Sequence, residues 1–212
     1  MKFYFVLGNG REPIVMFHRL ADNIIGLARE LGISVGMMLT VRHLGSIDFI
    51  LDLNPFGGDI IIDNGAFAVL SGNWDARFVL SPEQKRKWFS KLVQLITKVE
   101  EFEWYAMPDL PVHGREFAPP NERRRRIELS AELHEEFASE WHHDPQRARP
   151  VLQGYTAGEY AYSFTLLARL FGKGAYYAVG SVCVRKKLKN LGQFMEEFLG
   201  TCCPVVLSLI HI

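Results

Sequence analysis

Asp59-Ile60-Ile61-Ile62-Asp63-Asn64-Gly65-Ala66-Phe67 is the stretch on which the fold reading turns. Three consecutive isoleucines make a short strand that is apolar on both faces, as the interior of a parallel sheet requires. The strand ends in a carboxylate. Asn64 and Gly65 tolerate positive φ and so permit a tight turn directly after it. In parallel α/β folds ligands bind beyond the carboxyl ends of the strands. Asp63 is therefore the first candidate site residue, and Phe67, behind the turn, is a candidate stacking ring. Residues 102–111, 149–154 and 175–185 repeat the plan of an apolar strand with polar residues at its end.

Working outward, strands and helices alternate. Residues 2–7 read as a strand. Residues 14–31 carry apolar side chains at helical spacing (Phe17, Leu20, Ile24, Leu27, Leu31), with Gly32 suited to the C-cap. Residues 33–41 form a second strand, weakened by Gly36. A short helical turn within 44–56 is stopped by Asn54-Pro55. Ser81-Pro82-Glu83-Gln84 is a helix start: an N-cap serine, proline at the first helical position, and glutamine three residues after the cap. That helix should run to Val99 and turn Trp88, Leu92, Leu95, Ile96 and Val99 inward.

A strand at 102–107 is closed by Pro108-Asp109-Leu110-Pro111. A helix over 122–141 carries the stripe Leu129, Leu133, Phe137, Trp141. Residues 150–154 are a short strand and turn. Thr156-Ala157-Gly158-Glu159 has capping-box spacing and opens a helix to Phe171. A strand at 175–182, a helix at 187–199 stopped by Gly200, and a strand at 204–210 complete the chain.

This order implies one α/β domain with a parallel sheet and six or seven strands. A closed eight-unit barrel typically takes about 250 residues; this chain has 212. The expectation is thus either an open sheet or a (β/α) barrel of the TIM type that is incomplete at its C-terminus. The final Leu207-Ser208-Leu209-Ile210-His211-Ile212 looks like translated adapter sequence. Residues 1–206 are therefore read as a single partial barrel domain, and 207–212 as a non-native tail.

Composition limits the function. The chain is 48% hydrophobic and 23% charged, and its formal net charge is zero. Overall charge gives no argument for a polyanionic partner, so any contact with phosphates needs a local basic patch. No apolar run reaches the roughly 20 residues of a membrane span. Cys183, Cys202 and Cys203 have no framework spacing, which suits a reducing cytoplasm.

At this point the residues carry a resemblance. Asp63-Asn64-Gly65-Ala66-Phe67 resembles the Asp-Ser-Gly-Gly-(Phe/Tyr) motif of the tRNA-guanine transglycosylase superfamily. Val151-Leu152-Gln153-Gly154 is similar to that superfamily's Val-Gln-Gly strand end. Ala178-Val179-Gly180-Ser181-Val182-Cys183 looks like the Val-Gly-Ser-Val-Cys-Arg segment of its DpdA-like branch, the deazapurine DNA-modification proteins.

The resemblance implies a (β/α)8 barrel in a cytoplasmic protein. It would exchange guanine in a nucleic acid, DNA ahead of tRNA with both left open, for a 7-deazaguanine such as preQ0. It implies a covalent glycosyl-enzyme, with the target nucleotide drawn out of its stack. Asp63 would stand by the base and the reacting sugar, and Phe67 would stack on the purine. Asp109 would accept from the guanine edge. Gln153, with Gly154, would contact the O6 side. The main chain before Gly180, at Tyr176 and Tyr177, would touch the base, with Gly180 and Ser181 beside it. A carboxylate suits guanine's N1–H and exocyclic amine, and an amide donor suits O6. Ser181 stands where the tRNA enzymes carry Glu, which favours the DNA branch. The superfamily's nucleophilic aspartate and its zinc site would both lie beyond this chain, so no cofactor is expected here. The alternative is a non-catalytic base-binding barrel or a degenerate paralogue.

Other residues invite function and have plainer readings. Arg185, Lys186 and Lys187 follow a strand end and are candidate phosphate contacts. Arg123 to Arg126 point around a helix, so most should be solvated. His134, His142, His143 and Asp144 lack metal-ligand spacing and are expected on the surface. Cys202 and Cys203 are expected to be buried filler.

Overall fold

A computed structural model describes residues 2–6, 11–66, 80–113, 118–141, 144–180, 196–197, 200 and 207–209. The chain divides into two compact units. The first is Met1–Gly65 with Glu83–Tyr105, and the second is Ala66–Pro82 with Ala106–Ile212.

The first unit is α/β with parallel strands. Its strands are β1 (Lys2–Val6), β2 (Ser34–Thr40), β3 (Ile60–Asp63) and the start of β4 (Trp104–Ala106). They lie in the order β1-β2-β3-β4, all parallel. Helices α1 (Arg11–Glu30), α2 (Ile47–Asp52) and α3 (Pro82–Lys98) connect them. Ile60, Ile61 and Ile62 are buried to within 3% of full burial, as a strand covered on both faces must be. Register sets Thr40 of β2 abreast of Asp63 of β3, so two polar strand ends coincide.

Gly36, which weakened the strand reading of 33–41, has a structural reason to be there. A Cβ at Gly36 would overlap the Tyr4 ring and the Asp59 carbonyl. Its absence lets Tyr4 pass over β2, where the Tyr4 hydroxyl donates to Glu103 at 2.6 Å. Lys2 donates to Asp59 at 2.6 Å and also to Glu103. Burial pulls the Lys2 pKa down, but its two carboxylate partners outweigh this and raise it.

Helix α1 buries Ile14, Ala21 and Ala28. The large residues of the expected stripe lie elsewhere: Leu20, Leu27 and Leu31 are all exposed. Alanine lets a helix axis come close to its neighbour, and periodicity alone does not say which of two adjacent apolar faces is used. Helix α3 keeps the expected inward set, with Trp88, Leu92, Leu95, Ile96 and Val99 all buried. Gly32 has φ +65°, and Ile33 donates back to Ala28 at 2.8 Å, the left-handed C-cap that the sequence suggested.

The second unit holds α4 (Pro120–Glu140), β5 (Ala148–Arg149), β6 (Val151–Leu152), α5 (Ala157–Phe171), β7 (Tyr177–Val179) and β8 (Leu207–Leu209). Strands β6, β7 and β8 are parallel and adjacent in that order. Leu152, Tyr160, Phe164, Leu167, Tyr177 and Val179 form its core. The Thr156 capping box is present, with Thr156 Oγ1 accepting from Glu159 N–H at 3.2 Å. Gly200, expected to stop the last helix, is itself helical.

Helix α4 departs most from its expected face. Of the stripe Leu129, Leu133, Phe137 and Trp141, only Leu133 and Phe137 are fully buried. Polar residues share the interior: Glu122, Arg123, Arg126, Ser130 and His134 are all under 10% exposed. Two expectations are corrected here. The arginines at 123–126 are not mostly solvated, because Arg123 and Arg126 are buried in ion pairs with Glu159 and Glu122. His134 is not a surface residue; it is fully buried. A buried polar side chain is tolerated when its partners are built in; those of Arg123 and His134 are distant in sequence and invisible to periodicity, while Arg126 is paired within its own helix.

Among the described residues no helix is long and apolar enough to cross a membrane.

Candidate functional site

In the first unit the β3 strand end is built from its own backbone. Asp63 is 5% exposed, and its Oδ2 accepts the Gly65 N–H at 2.9 Å. This is the Asx turn that Asp-Asn-Gly favours. Burial pushes the Asp63 carboxyl up from 3.8 to about 6, against the N–H groups of Gly65 and Asn64, which favour the charged form.

Gly65 is required twice over. Its φ is +72°, and a Cβ there would overlap Val41 Cγ2. Val41 is held by the capping box that begins at Thr40. Thr40 Oγ1 accepts from Arg42 N–H at 3.2 Å, and Thr40 N–H donates to His43 Nδ1 at 3.0 Å. From the other side the Trp88 indole N–H donates to the Asn64 carbonyl at 2.6 Å. The turn is thus clamped by the helical turn that follows β2 (Val41–Ser46) and by α3, which the sequence did not disclose. Phe67, the expected stacking ring, lies outside the described residues.

In the second unit the strand ends are built from side chains. Asp109 follows β4 in the chain, and Gln153 follows β6; they are 3% and 2% exposed. The Gln153 Nε2 amide donates to Asp109 Oδ2. The amide orientation follows, since the oxygen cannot donate to a carboxylate. The Gln153 backbone N–H donates to Ser163 Oγ of α5 at 3.2 Å. A Cβ on Gly180, at the end of β7, would overlap Gln153 Nε2. The Gly180 N–H donates to the Leu152 carbonyl at 2.9 Å, and its own carbonyl accepts the Tyr160 hydroxyl at 2.5 Å. Gly154 packs on Tyr160 so closely that a Cβ would come within 2.7 Å of the ring. These two glycines let two strand ends and a tyrosine close around one amide.

The loop that carries Asp109 is anchored by helix α4. Leu110 N–H donates to Ser130 Oγ at 2.8 Å, and Arg126 donates to the Pro111 carbonyl at 2.9 Å while paired with Glu122. His113 is fully buried in the same stretch. His134 Nε2 accepts the Val151 N–H at 3.1 Å. Burial pushes the His134 pKa down to about 3, opposed in part by the Ser130 backbone. The neutral ring is thus the acceptor that completes β6.

Tyr177 enters the core through its side chain. Its hydroxyl donates to the Gly172 carbonyl at 2.6 Å, its ring meets Phe164 edge-on at 5.3 Å, and burial pushes its pKa up to about 12. Any contact with a base would therefore use its main chain. Ser181, Arg185, Lys186 and Lys187 lie outside the described residues. Among the described residues no group of His, Cys, Asp and Glu is placed to hold a metal.

The structure thus brings together Asp109, Gln153 and Gly180 from three segments, with Gly154 behind them. It adds Ser130, Ser163 and Tyr160, which sequence reasoning missed, and Arg126, which was weighed only as a phosphate contact or a solvated residue. One signal pointed near them: the capping box that fixes the first turn of α5 also aims Tyr160 and Ser163 inward.

No known protein-family model matches the sequence, and no curated protein matches it.

Proposed function

We propose that the second unit recognises a guanine-type base, as part of an enzyme that exchanges guanine in a nucleic acid for a 7-deazaguanine. The observation that carries this reading is the Asp109–Gln153 pair. It is a buried carboxylate hydrogen-bonded to a buried amide, at the carboxyl ends of parallel strands. Such a pair is an apt stand-in for its own ligand. The carboxylate can exchange the Gln153 amide for guanine's N1–H and exocyclic amine. The freed amide N–H then faces O6. Adenine offers the opposite pattern and would leave both buried groups unmatched, a penalty that supports strong discrimination.

The reading includes the barrel architecture of the transglycosylase superfamily and its double displacement. A carboxylate oxygen bonds to the sugar C1′ as the C1′–N9 bond breaks. Guanine departs with the bonding electrons on N9 and takes up a proton. A 7-deazaguanine then gives up its own N9 proton and attacks C1′, and the carboxylate is released unchanged. Asp63 is placed to fix the turn better than to attack, since its carboxyl, raised to about 6 and so mostly ionised at pH 7, is buried and tied to Gly65. DNA is the favoured substrate on the Gly180-Ser181 motif, with Arg185, Lys186 and Lys187 as phosphate contacts.

The test is incorporation of labelled guanine into duplex DNA and into tRNA by the protein extended along its native gene to include the expected downstream aspartate, beside guanine and adenine binding by the 212-residue chain. Exchange into DNA, lost in Asp109→Ala, supports the reading. The same chain binding adenine as well as guanine would sink it. A second reading, a base-binding protein without catalysis, is favoured by the locked geometry of Asp63. It predicts guanine binding with no exchange into either nucleic acid.

A further inference from the structure

Immediately after Gln153-Gly154 stands Tyr155, which is 42% exposed although Gln153, two residues before it, is only 2% exposed. It is held from several directions. Its backbone N–H donates to Glu159 Oε2 at 2.7 Å, and the same carboxylate accepts the Thr156 N–H at 3.3 Å. Glu159 also binds Arg123, whose Nε lies 2.8 Å from Oε1 and 3.0 Å from Oε2. A third bond, from Arg123 Nη1 to the Ala118 carbonyl at 2.7 Å, fixes the guanidinium plane. That guanidinium sits 5.0 Å from the centre of the Tyr155 ring.

A surface tyrosine ordinarily samples several rotamers. Here one carboxylate orients both the backbone beneath the ring and the cation that stacks against it. Cation–π contact is a preference for one ring placement that ordinary surface packing does not supply. Arg123 is 9% exposed and Glu159 closes its charge, so the assembly presents the ring and conceals the ions. The result is a pre-oriented aromatic surface two residues along the chain from Gln153.

We propose that Tyr155, backed by Arg123, is a stacking platform for a nucleic-acid base next to the one held by Asp109 and Gln153. The proposal rests on the base-recognition reading above, and adds that the substrate is engaged as an unstacked single strand. Aromatic stacking is tolerant of base identity, because every base has a π-face. The platform should therefore contribute affinity and leave guanine selection to the buried pair.

The experiment is fluorescence anisotropy with labelled single-stranded DNA dodecamers. One is all thymine, and one carries a single central guanine. The full chain is compared with Tyr155→Leu, Tyr155→Trp and Gln153→Ala, each checked for an unchanged thermal transition. Tyr155→Leu keeps apolar bulk and removes the ring. It should weaken both oligonucleotides about tenfold, within the range measured for stacked bases. Tyr155→Trp should bind at least as tightly as the parent. Gln153→Ala should lose the guanine preference and keep the thymine affinity. Unchanged binding in Tyr155→Leu, with the guanine preference intact, overturns the platform and leaves base recognition standing. A tenfold loss in Tyr155→Leu with no guanine preference in the parent supports the platform and overturns the guanine reading. Failure of the parent to bind either oligonucleotide overturns both.

Discussion

Two strand ends in this protein solve the same problem in different ways. At β3 a buried carboxylate, Asp63, is satisfied by the backbone of its own turn, two residues ahead. At β6 the buried amide of Gln153 is satisfied by a carboxylate 44 residues earlier in the chain. The first arrangement is local and closed: Asp63 is fastened to Gly65, and Val41 and Trp88 hold the turn from outside. The second is long-range, and on the proposed reading it is exchangeable, either partner giving way to a ligand group of matching polarity. A locally closed carboxylate makes a rigid structural turn. A pair of side chains drawn from separate segments is, on the base-recognition reading proposed above, a receptor.

The largest expected effect tests the closed end. Trp88→Ala removes a fully buried ring and the donor to the Asn64 carbonyl. The expected loss is about 3–5 kcal/mol of stability, read as a shift in the urea midpoint at constant slope. A loss below 1 kcal/mol would mean that the β3 turn does not depend on helix α3.

The pH dependence sharpens the comparison next, because the two units carry buried groups of opposite sense. His134 sits near 3, below its ordinary 6.5. From pH 6.5 downward the unfolded chain takes up a proton that the folded chain refuses. The stability tied to neutral His134 is therefore full above pH 6.5 and drains away as pH falls toward 3. From pH 6.5 to pH 4 the loss is on the order of 3 kcal/mol. His134→Gln, which keeps an acceptor for Val151 N–H, should flatten that part of a urea-midpoint against pH curve. An identical slope in the variant would mean that the ring charges in the folded state.

Asp63 runs the other way, with a somewhat smaller effect. Its folded value of about 6 lies above the ordinary 3.8, so the folded chain binds the extra proton between these limits. That contribution is full below pH 3.8 and is lost as pH rises through 6. Asp63→Asn keeps an oxygen for the Gly65 N–H and cannot ionise. It should be more stable than the parent at pH 7.5 by roughly 2–3 kcal/mol, with the difference vanishing near pH 4. If the variant is instead destabilised at pH 7.5, the charge on Asp63 is serving something the folded turn needs.

How much of this was legible in the sequence follows the same division. The Asp-Asn-Gly turn, the Gly32 C-cap, the Thr156 capping box and the inward face of α3 are written in residues a few positions apart. All four appear where expected. The alternation of strand and helix gave the α/β class and the parallel pairing. The face of α1 was misjudged, because the sheet takes Ile14, Ala21 and Ala28 while the larger leucines stay outside. The interior of α4 was missed, because Arg126, Ser130 and His134 are stabilised by Glu122, Leu110 and Val151. For Ser130 and His134 those partners lie about twenty residues away in sequence. In the candidate site, Asp109 and Gln153 were named through a resemblance between motifs; their direct bond was not foreseen. The clearance that Gly180 leaves for Gln153 was likewise unreadable, since a glycine in a list of residues does not say what stands against it.

The central claim is that the Asp109–Gln153 pair opens to receive a guanine edge, and calorimetric titration of the 212-residue chain tests it most directly. Guanine and a 7-deazaguanine should bind, and adenine should not. Asp109→Ala should weaken guanine by about 10- to 100-fold, the range for a lost hydrogen bond to a charged group. Equal affinity for adenine and guanine, or an Asp109→Ala variant that binds guanine as the parent does, would contradict the account.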